Sequence, residues 1–368
     1  MRIAILTFFE SENYGTVLQA YATQKYLASL GYTAELLHIK RMVNGTSSHY
    51  SAKTPKNSFF DKLRYKWVSL TKKKSIQKKS EKFRAFRKEY LHVSKYYDSG
   101  EILKKDLEDY DLYISGGDQI WNPYHKVFSM RYMFDFLSAE KPRIAYGSSF
   151  GVATIDDAVI LSKMKDCLGK YQAIGVREQS GVEIIQKIGL NALQVVDPVF
   201  LLKEDWRIFV KDRPRKKKYC VVYALIDFPE GEKEQIVAFA KKRKLEVVIL
   251  PFNRQNCLNR FHKAFGLSPQ EFLNYIVHAE YVFTNSFHGL AFSILFQKQF
   301  TLLGCDSEDG KAKRERLIDL LKQLGIGDRN FESTDEAIAY GDVNELLQNR
   351  INESIKYIQE SINKIGVN

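Results

Sequence analysis

Residues 2–39 read RIAILTFFESENYGTVLQAYATQKYLASLGYTAELLHI and indicate the fold class. The stretch opens with an apolar run of strand length over 2–8 and passes through a polar turn at 10–15. A helix pattern follows over about 17–30, and a second apolar run at 34–39 reads as another strand. This strand, helix, strand order predicts a parallel α/β sheet.

The same alternation continues along the chain in two series. The stretch 201–218 is polar, basic and proline-containing, and it predicts a domain boundary. We therefore expect an N-terminal α/β lobe over 1–203, a C-terminal α/β lobe over 218–340, and a final helix over 341–368 that packs back across the lobes. Further strands are predicted at 111–115, 143–148, 173–177, 194–196, 219–226, 246–251, 281–284 and 300–303, and further helices at 232–243 and 269–279.

Composition excludes several classes of protein. The apolar stretches are far shorter than the roughly 20 residues that a membrane-spanning helix needs, and the N-terminus shows no small-residue cleavage site. The four cysteines are far apart, with no CxxC pair and no histidine at metal spacing. We expect a reduced, cytoplasmic protein without a structural metal.

The positive charge is concentrated in one segment. Of the net +12, the stretch Lys53 to Lys95 accounts for 15 Lys or Arg against three acids, within a helical insertion expected at about 42–105. Apolar residues recur at helical spacing at Phe60, Leu63, Trp67 and Leu70. Three interpretations remain open: a solvated helix packed on its own domain, an anionic membrane surface or lipid-linked acceptor, and nucleic acid. The third lacks any accompanying nucleic-acid-binding motif, so we expect no nucleic acid.

Four loops at predicted strand ends are rich in small and polar residues. Because ligands of open parallel sheets bind beyond the carboxyl ends of the strands, these loops are the expected site, although ordinary turn chemistry would also explain each one. Neither GxGxxG nor GxxxxGK[ST] occurs, which disfavours nicotinamide and ATP. The loops lie at 13–16, 116–119, 147–151 and 285–289.

Six segments in order give a more specific signal. They are NYGTVLQAYATQKYL (13–27), DLYISGGDQIWNP (111–123), IAYGSSFG (144–151), GVREQSGVEIIQKIGLN (175–191), VVDPVFLL (195–202) and TNSFHGLAFSILFQKQF (284–300). Together they resemble the polysaccharide pyruvyl transferase family. The resemblance implies two Rossmann-like lobes facing each other, similar to GT-B glycosyltransferases. It also implies transfer of pyruvate from phosphoenolpyruvate onto a sugar as a ketal, in exopolysaccharide or capsule biosynthesis.

That chemistry needs a proton donor, a base and cations for a carboxylate and a phosphate. Histidine is the side chain in these loops that suits both proton roles near neutral pH, and the resemblance gives His288 contact with the donor as acid or base. The alternative is a packed, structural histidine. Arg177 matches an arginine of the family and suits a donor carboxylate or phosphate, the alternative being a surface pair with Glu178. Asp118 is a candidate base, or a turn residue.

The remaining donor-binding candidates lie around His288. Some family members have Arg-Leu-His where this chain has Ser286-Phe287-His288, so a cation is missing at position 286. Either Lys298, Arg254 or a lysine of the insertion takes its place, or the donor is a different molecule. The amide of Gly289, at the start of a helix, is expected to cradle a phosphate oxygen. Together with Arg177 and His288, the donor-binding candidates are Ser286, Phe287, Gly289 and Lys298.

The acceptor, a sugar or a lipid-linked oligosaccharide, is expected to contact the N-terminal lobe. Turn and core packing are the alternatives for these residues, and Trp121 either stacks on a sugar ring or closes the core. The acceptor-binding candidates are Asn13, Gly15, Gln19, Gly117 and Trp121.

Two other functions compete with pyruvyl transfer. The fold also suits a glycosyltransferase with a nucleotide-sugar donor, and the basic segment suits a non-catalytic sugar- or membrane-binding protein. For the enzyme we expect a cytoplasmic location, peripheral at the inner membrane face, phosphoenolpyruvate as donor substrate, and no cofactor or metal. Replacement of His288 or Arg177 by alanine is expected to abolish transfer without unfolding the protein.

Overall fold

The structure is a computed structural model that describes residues 1–39, 59–97, 110–125, 127–251, 261–305 and 308–366. Within these ranges the side chains of 59–73 and 308–313 are not described. The expectations for Phe60, Leu63, Trp67, Leu70 and Arg254 therefore lie outside the described side chains.

The first sheet contains seven described strands, all parallel. Its order is β3-β2-β1-β4-β5-β6-β7. Its central strands, 112–117 and 143–148, are buried along their whole length, as expected when helices cover both faces of a parallel sheet. Its strands are β1 Arg2–Leu6, β2 Thr33–Ile39, β3 Val93–Tyr97, β4 Leu112–Gly117, β5 Arg143–Ser148, β6 Ala173–Val176 and β7 Leu193–Gln194.

The second sheet repeats this arrangement with five described parallel strands, in the order β10-β9-β8-β11-β12. In both sheets the first strand of the series lies in the middle, so the strand order reverses between β1 and β4 and again between β8 and β11. Such reversal points leave a crevice for ligands. The strands are β8 Tyr219–Tyr223, β9 Glu246–Ile249, β10 His262–Lys263, β11 Tyr281–Thr284 and β12 Phe300–Leu302.

Helices connect the strands, and one of them fills the space between the lobes. Tyr14–Ser29 forms α1, in which all residues except Lys25, Ala28 and Ser29 are buried. Its Tyr14 stacks on Phe272 of the second lobe at 4.5 Å between ring centroids. The other described helices are α2 Phe59–Tyr90, α3 Ala158–Leu168, α4 Gln179–Lys187, α5 Glu230–Lys242, α6 Pro269–Val277, α7 Phe287–Leu295, α8 Glu308–Gln323 and α9 Tyr340–Gly366.

The connection between the sheets is less polar than its sequence indicates. A run of 3-10 turns spans Pro198–Phe209, and Trp206 and Phe209 are buried within it. Trp206 contacts Tyr21 of α1 at 5.7 Å and Phe292 of α7 at 5.1 Å between centroids. The stretch 201–218 lies between the two sheets, which end at Gln194 and begin at Tyr219, and its first half joins the apolar core.

The C-terminal helix returns to the first lobe, as expected. In α9, Tyr357 donates from Oη to the carbonyl of Ala145 in β5 at 2.8 Å, and Ser354 Oγ accepts from the amide of Val196 at 2.9 Å. The two parallel sheets and this returning helix make the molecule a two-lobe, GT-B-like α/β fold.

The second half of the basic helix α2 packs across both lobes. Phe83 and Phe86 are buried, Phe83 lies beside Tyr14 of α1, and Lys82 pairs with Glu271 of α6 at 2.5 Å. This half is therefore more than a solvated insertion on its own domain. Among the described residues, no helix is both long and apolar enough to cross a membrane.

Candidate active site

The candidate site lies where the carboxyl ends of the two sheets face each other. The first lobe contributes the loops that follow β1, β4, β5, β6 and β7, and the second lobe contributes the loop after β11 with helices α7 and α8. The loops after β1, β4, β5 and β11 are the four that the sequence singles out, and the structure brings them together.

Arg177 is the hub of this site. It donates from Nη1 to Asp197 Oδ2 at 2.9 Å, and from Nη2 to Asp118 Oδ1 at 2.7 Å and to Ser149 Oγ at 3.1 Å. Its Nε lies 3.6 Å from Glu178 Oε2, and the side chain is 2% exposed. Burial lowers its pKa, but the carboxylates of Asp118 and Asp197 outweigh that effect and raise the pKa above its ordinary value.

The flat face of the same guanidinium is also covered. The ring of Phe287 lies across it, with 4.0 Å from the guanidinium carbon to the ring centroid. Because carboxylates surround its edge and a ring covers one face, Arg177 organises the site rather than presenting a free cation. Neither a surface pair with Glu178 nor a direct donor contact fits this geometry, and loss of Arg177 would disturb the fold.

His288 meets a carboxylate of the opposite lobe. Its Nε2 lies 3.4 Å from Asp197 Oδ2, longer than an ordinary hydrogen bond, and both side chains are almost fully buried. Asp197 is held in place because its Oδ1 accepts from the amide of Val199 at 3.0 Å. Burial raises the pKa of Asp197, but His288 and Arg177 outweigh burial and bring the pKa below its ordinary value.

The other side of the imidazole lies against Gly15. A Cβ placed on Gly15 would stand 2.1 Å from Nδ1 and 2.3 Å from Cγ of His288. Glycine is required here because no side chain fits between the start of α1 and the ring. Gly15, expected on the acceptor side, is thus part of the His288 environment.

Asp118 binds two guanidinium groups at once. In addition to Arg177, Arg316 of α8 donates from Nη1 to Asp118 Oδ1 at 3.0 Å. Burial would raise the pKa of Asp118, but Arg177 and Arg316 together hold it far below its usual range. A carboxylate held ionised so strongly is a weak base, which argues against Asp118 as the group that deprotonates a hydroxyl.

The start of α7 is capped from within the protein. Ser286 Oγ accepts from the amide of Gly289 at 3.3 Å, so this amide does not lie open for a phosphate. A Cβ on Gly289 would stand 2.3 Å from Oγ1 of Thr284. The glycine therefore serves close packing of α7 on β11, and the expected phosphate contact of Gly289 is corrected.

Lys298 lies at the wrong end of the helix. It follows α7, which runs from Phe287 to Leu295, and directly precedes β12. A helix rises 1.5 Å per residue, so Lys298 is about a full helix length from His288. It does not fill the position left by the missing arginine.

The remaining acceptor candidates are bonded within the first lobe. Asn13 caps α1 by accepting from the amide of Thr16 at 3.3 Å. Gln19 donates from Nε2 to Oγ1 of Thr7 at 2.7 Å, and both side chains crowd the Cα of Gly117, whose φ is +123°. Gln19 Oε1 is buried without a hydrogen-bond partner among the described atoms. It is therefore an unused hydrogen-bond acceptor beside Gly117.

Trp121 closes the core of the first lobe. It is 0% exposed, and its indole nitrogen donates to the carbonyl of Tyr132 at 3.1 Å. Its ring contacts Phe150 at 5.5 Å between centroids. A sugar cannot stack on a fully buried ring, so the acceptor role expected for Trp121 is corrected in favour of packing.

No metal site is apparent in the part of the chain that the structure describes: its His, Cys, Asp and Glu side chains form no group of three or more with the arrangement that holds an ion.

A comparison with protein families shows which family this chain belongs to. The family model of polysaccharide pyruvyl transferases matches residues 13–307, which is more than half of the chain. The chain belongs to the polysaccharide pyruvyl transferase family. The match begins at the end of the loop after β1, covers the later loops of the site, and stops before the helix that carries Arg316. A comparison with curated proteins gives no match.

Two solved structures of low identity superpose on this chain, and the first of them shares its fold. A Listeria monocytogenes protein assigned to the UDP-N-acetylglucosamine 2-epimerases superposes with a TM-score of 0.53 at 10% identity, over 99% of this chain and 97% of that one. Arabidopsis thaliana UGT89C1, in complex with UDP-L-rhamnose, gives 0.49 at 10% identity, over 99% of this chain and 98% of that one. The likeness concerns the fold alone.

Three residues of the site are missed by the sequence analysis. Asp197 lies in the quoted VVDPVFLL segment, but a carboxylate before proline also reads as a simple turn. Glu178 accepts from the amides of Phe150 and Gly151 at 2.7 and 3.0 Å, and so fixes the loop after β5. Arg316 lies in a charged helix, where no local pattern distinguishes it from its surface neighbours.

Proposed function

We propose that this protein transfers pyruvate from phosphoenolpyruvate onto a sugar of a polysaccharide precursor and forms a ketal. The observation that carries the proposal is the meeting of His288 with Asp197, across the lobes, in a chain of the polysaccharide pyruvyl transferase family. A nucleotide-sugar glycosyltransferase has only the shared fold in its favour, and fold does not fix function.

The reaction balances without a redox partner. The methylene carbon of phosphoenolpyruvate takes a proton, one sugar hydroxyl attacks C2, phosphate departs, and a second hydroxyl closes the ketal. One hydroxyl proton ends on the new methyl group and the other on the released phosphate. The site must therefore deliver a proton to carbon and remove protons from two hydroxyl groups.

His288 is the proposed proton carrier. Its Nε2 faces the carboxylate of Asp197, and its Nδ1 faces the first lobe at Gly15. Asp197 thus positions the ring and stays ionised. The lobes touch at Gly15 and His288, so the donor enters when the lobes separate and the imidazole closes onto it.

The basic helix offers a route to the acceptor. Lysines of α2 that precede the packed half, with the rest of the stretch 53–95, suit a lipid-linked acceptor at an anionic membrane surface. We propose a cytoplasmic enzyme that is peripheral at the inner membrane face, with no nucleic-acid partner.

Transfer can be tested without knowing the natural acceptor. Phosphate release from phosphoenolpyruvate is measured with a panel of p-nitrophenyl glycosides, and products are examined by NMR for a ketal methyl group. We expect acceptor-dependent release that falls at least a hundredfold in His288→Gln, since general acid–base catalysis contributes about 10²–10⁴-fold. If a folded His288→Gln variant turned over as fast as the wild type, His288 would have no role in the mechanism.

A further inference from the structure

We infer that Arg316 supplies the cation for the anionic donor that position 286 lacks, and that it does so by exchanging Asp118 for the donor. This inference rests on the proposed function and deepens it. It names a residue outside the segment that the family model matches.

The described candidates for this cation are few. Ser286 has no charge and its Oγ caps α7. Lys298 lies beyond the far end of α7. Arg177 is held by Asp118 and Asp197, with Glu178 beside its Nε. None of these can offer a charge to a phosphate or carboxylate at His288.

Arg316 reaches the site from the second lobe. It is 7% exposed, and its Nη1 donates to Asp118 Oδ1 at 3.0 Å and to Ser149 Oγ at 3.4 Å. Its Nε is buried and has no hydrogen-bond partner among the described residues. A buried guanidinium N–H without an acceptor is costly, so Nε of Arg316 is available to an anionic group. Nε of Arg177 also lacks a hydrogen bond, but the carboxylate of Glu178 lies 3.6 Å from it.

Asp118 can lose its bond to Arg316 and still keep one cationic partner. Its Oδ1 also accepts from Nη2 of Arg177 at 2.7 Å, so one guanidinium remains when the other turns away. A phosphate or carboxylate of the donor can then take the place of the Asp118 carboxylate on the planar edge of Arg316. In this exchange no buried charge loses its last partner, which avoids the cost of an isolated ion.

The exchange makes Asp118 a competitor of the donor. If Arg316 only held the lobes together through its ion pair with Asp118, removal of either side chain would weaken donor binding to the same extent. If Arg316 binds the donor, removing its charge weakens binding, whereas neutralising Asp118 frees Arg316. The two variants therefore give opposite results.

The test is calorimetric titration of phosphoenolpyruvate into wild type, Arg316→Gln, Arg316→Lys and Asp118→Asn, with thermal unfolding to verify folding. The exposed Lys322→Gln, on the same helix, is the matched control. We expect Kd to rise about 10- to 100-fold in Arg316→Gln, as for loss of a charged hydrogen bond. We expect an intermediate rise in Arg316→Lys, and an unchanged or lower Kd in Asp118→Asn. Titrations with phosphate alone and pyruvate alone identify which anionic end Arg316 binds.

Each outcome is decisive. Wild-type affinity in folded Arg316→Gln, or equal weakening in Arg316→Gln and Asp118→Asn, would overturn the inference while leaving the proposed function in place. Should Arg316→Gln fail to fold, Arg316→Lys with wild-type affinity would overturn it in the same way. Failure of the wild-type protein to bind phosphoenolpyruvate would contradict the proposed function itself, and the inference with it.

Discussion

At the scale of single residues, the site is held by ion pairs that join distant loops. Arg177 connects the loops after β4 and β5 with the turn before Pro198. The sequence places Arg177 at the end of one predicted strand and His288 shortly after another, and the structure brings both residues into the cleft between the lobes. The sequence does not reveal their partners, since pairing depends on which loops the sheet order brings together.

Replacing Arg177 by glutamine should destabilise the fold. The change leaves Asp197 and Asp118 with a missing partner in a buried site, and breaking a buried pair costs about 3–5 kcal/mol. The measurement is the free energy of unfolding in urea. Arg207→Gln, which breaks an exposed pair with Glu204, is the control and should change stability by less than about 1 kcal/mol. Equal effects of the two changes would contradict the hub role of Arg177.

Replacing Gly15 by alanine should damage both stability and transfer. Alanine favours a helix by about 1 kcal/mol, but its Cβ would collide with the His288 ring at 2.1 Å. We expect a net loss of about 1–3 kcal/mol, typical of overpacking, with transfer reduced at least tenfold. Gly231→Ala in α5, where nothing lies within 4 Å, is the control and should be neutral or stabilising. A stabilised, fully active Gly15→Ala would contradict the contact.

At the scale of elements, apolar runs locate strands and helices well because both sheets are parallel and buried. Strands at 143–148 and 281–284 agree with the prediction at both ends. The start of α1 is predicted three residues late, since Asn13 caps the helix at Tyr14. The part that Trp206 and Phe209 play in the core is not visible in the sequence of 201–218, because charged neighbours dominate its composition.

The packed half of α2 should give stability a distinctive pH dependence. Lys79 lies over the rings of Tyr14 and Phe83, and burial lowers its pKa to about 8. Between this value and the ordinary pKa near 10.5 the unfolded chain binds more protons, so this lysine makes the fold more stable as pH rises.

The pH effect is measured as the difference in unfolding free energy between wild type and Lys79→Met at pH 7, 8 and 9. We expect the difference to shift in favour of the wild type as pH rises, because burying a neutral amine costs less than burying an ammonium. Lys74→Met, at an exposed position of the same helix, is the control. If the difference in unfolding free energy between wild type and Lys79→Met did not change with pH, Lys79 would not be desolvated in the folded protein.

At the scale of the whole molecule, the two lobes are joined by a shared apolar core. One cluster contains side chains from both sheets, among them Ile5 of β1 and Val221 of β8, and α1 lies between them. The alternation of strands and helices predicts the two lobes and the returning C-terminal helix. It does not predict how closely the lobes meet, because that depends on Gly15 fitting the His288 ring and on Arg316 reaching Asp118.

The central claim is that the cleft between the lobes binds phosphoenolpyruvate at His288. The most direct measurement is a thermal-stability titration of the wild-type protein and of His288→Gln with phosphoenolpyruvate, and with UDP-N-acetylglucosamine as the competing donor class. We predict saturable stabilisation of the wild type by phosphoenolpyruvate, its loss in His288→Gln, and no response to the nucleotide sugar. Stabilisation by the nucleotide sugar but not by phosphoenolpyruvate would contradict the claim and assign the cleft to glycosyl transfer.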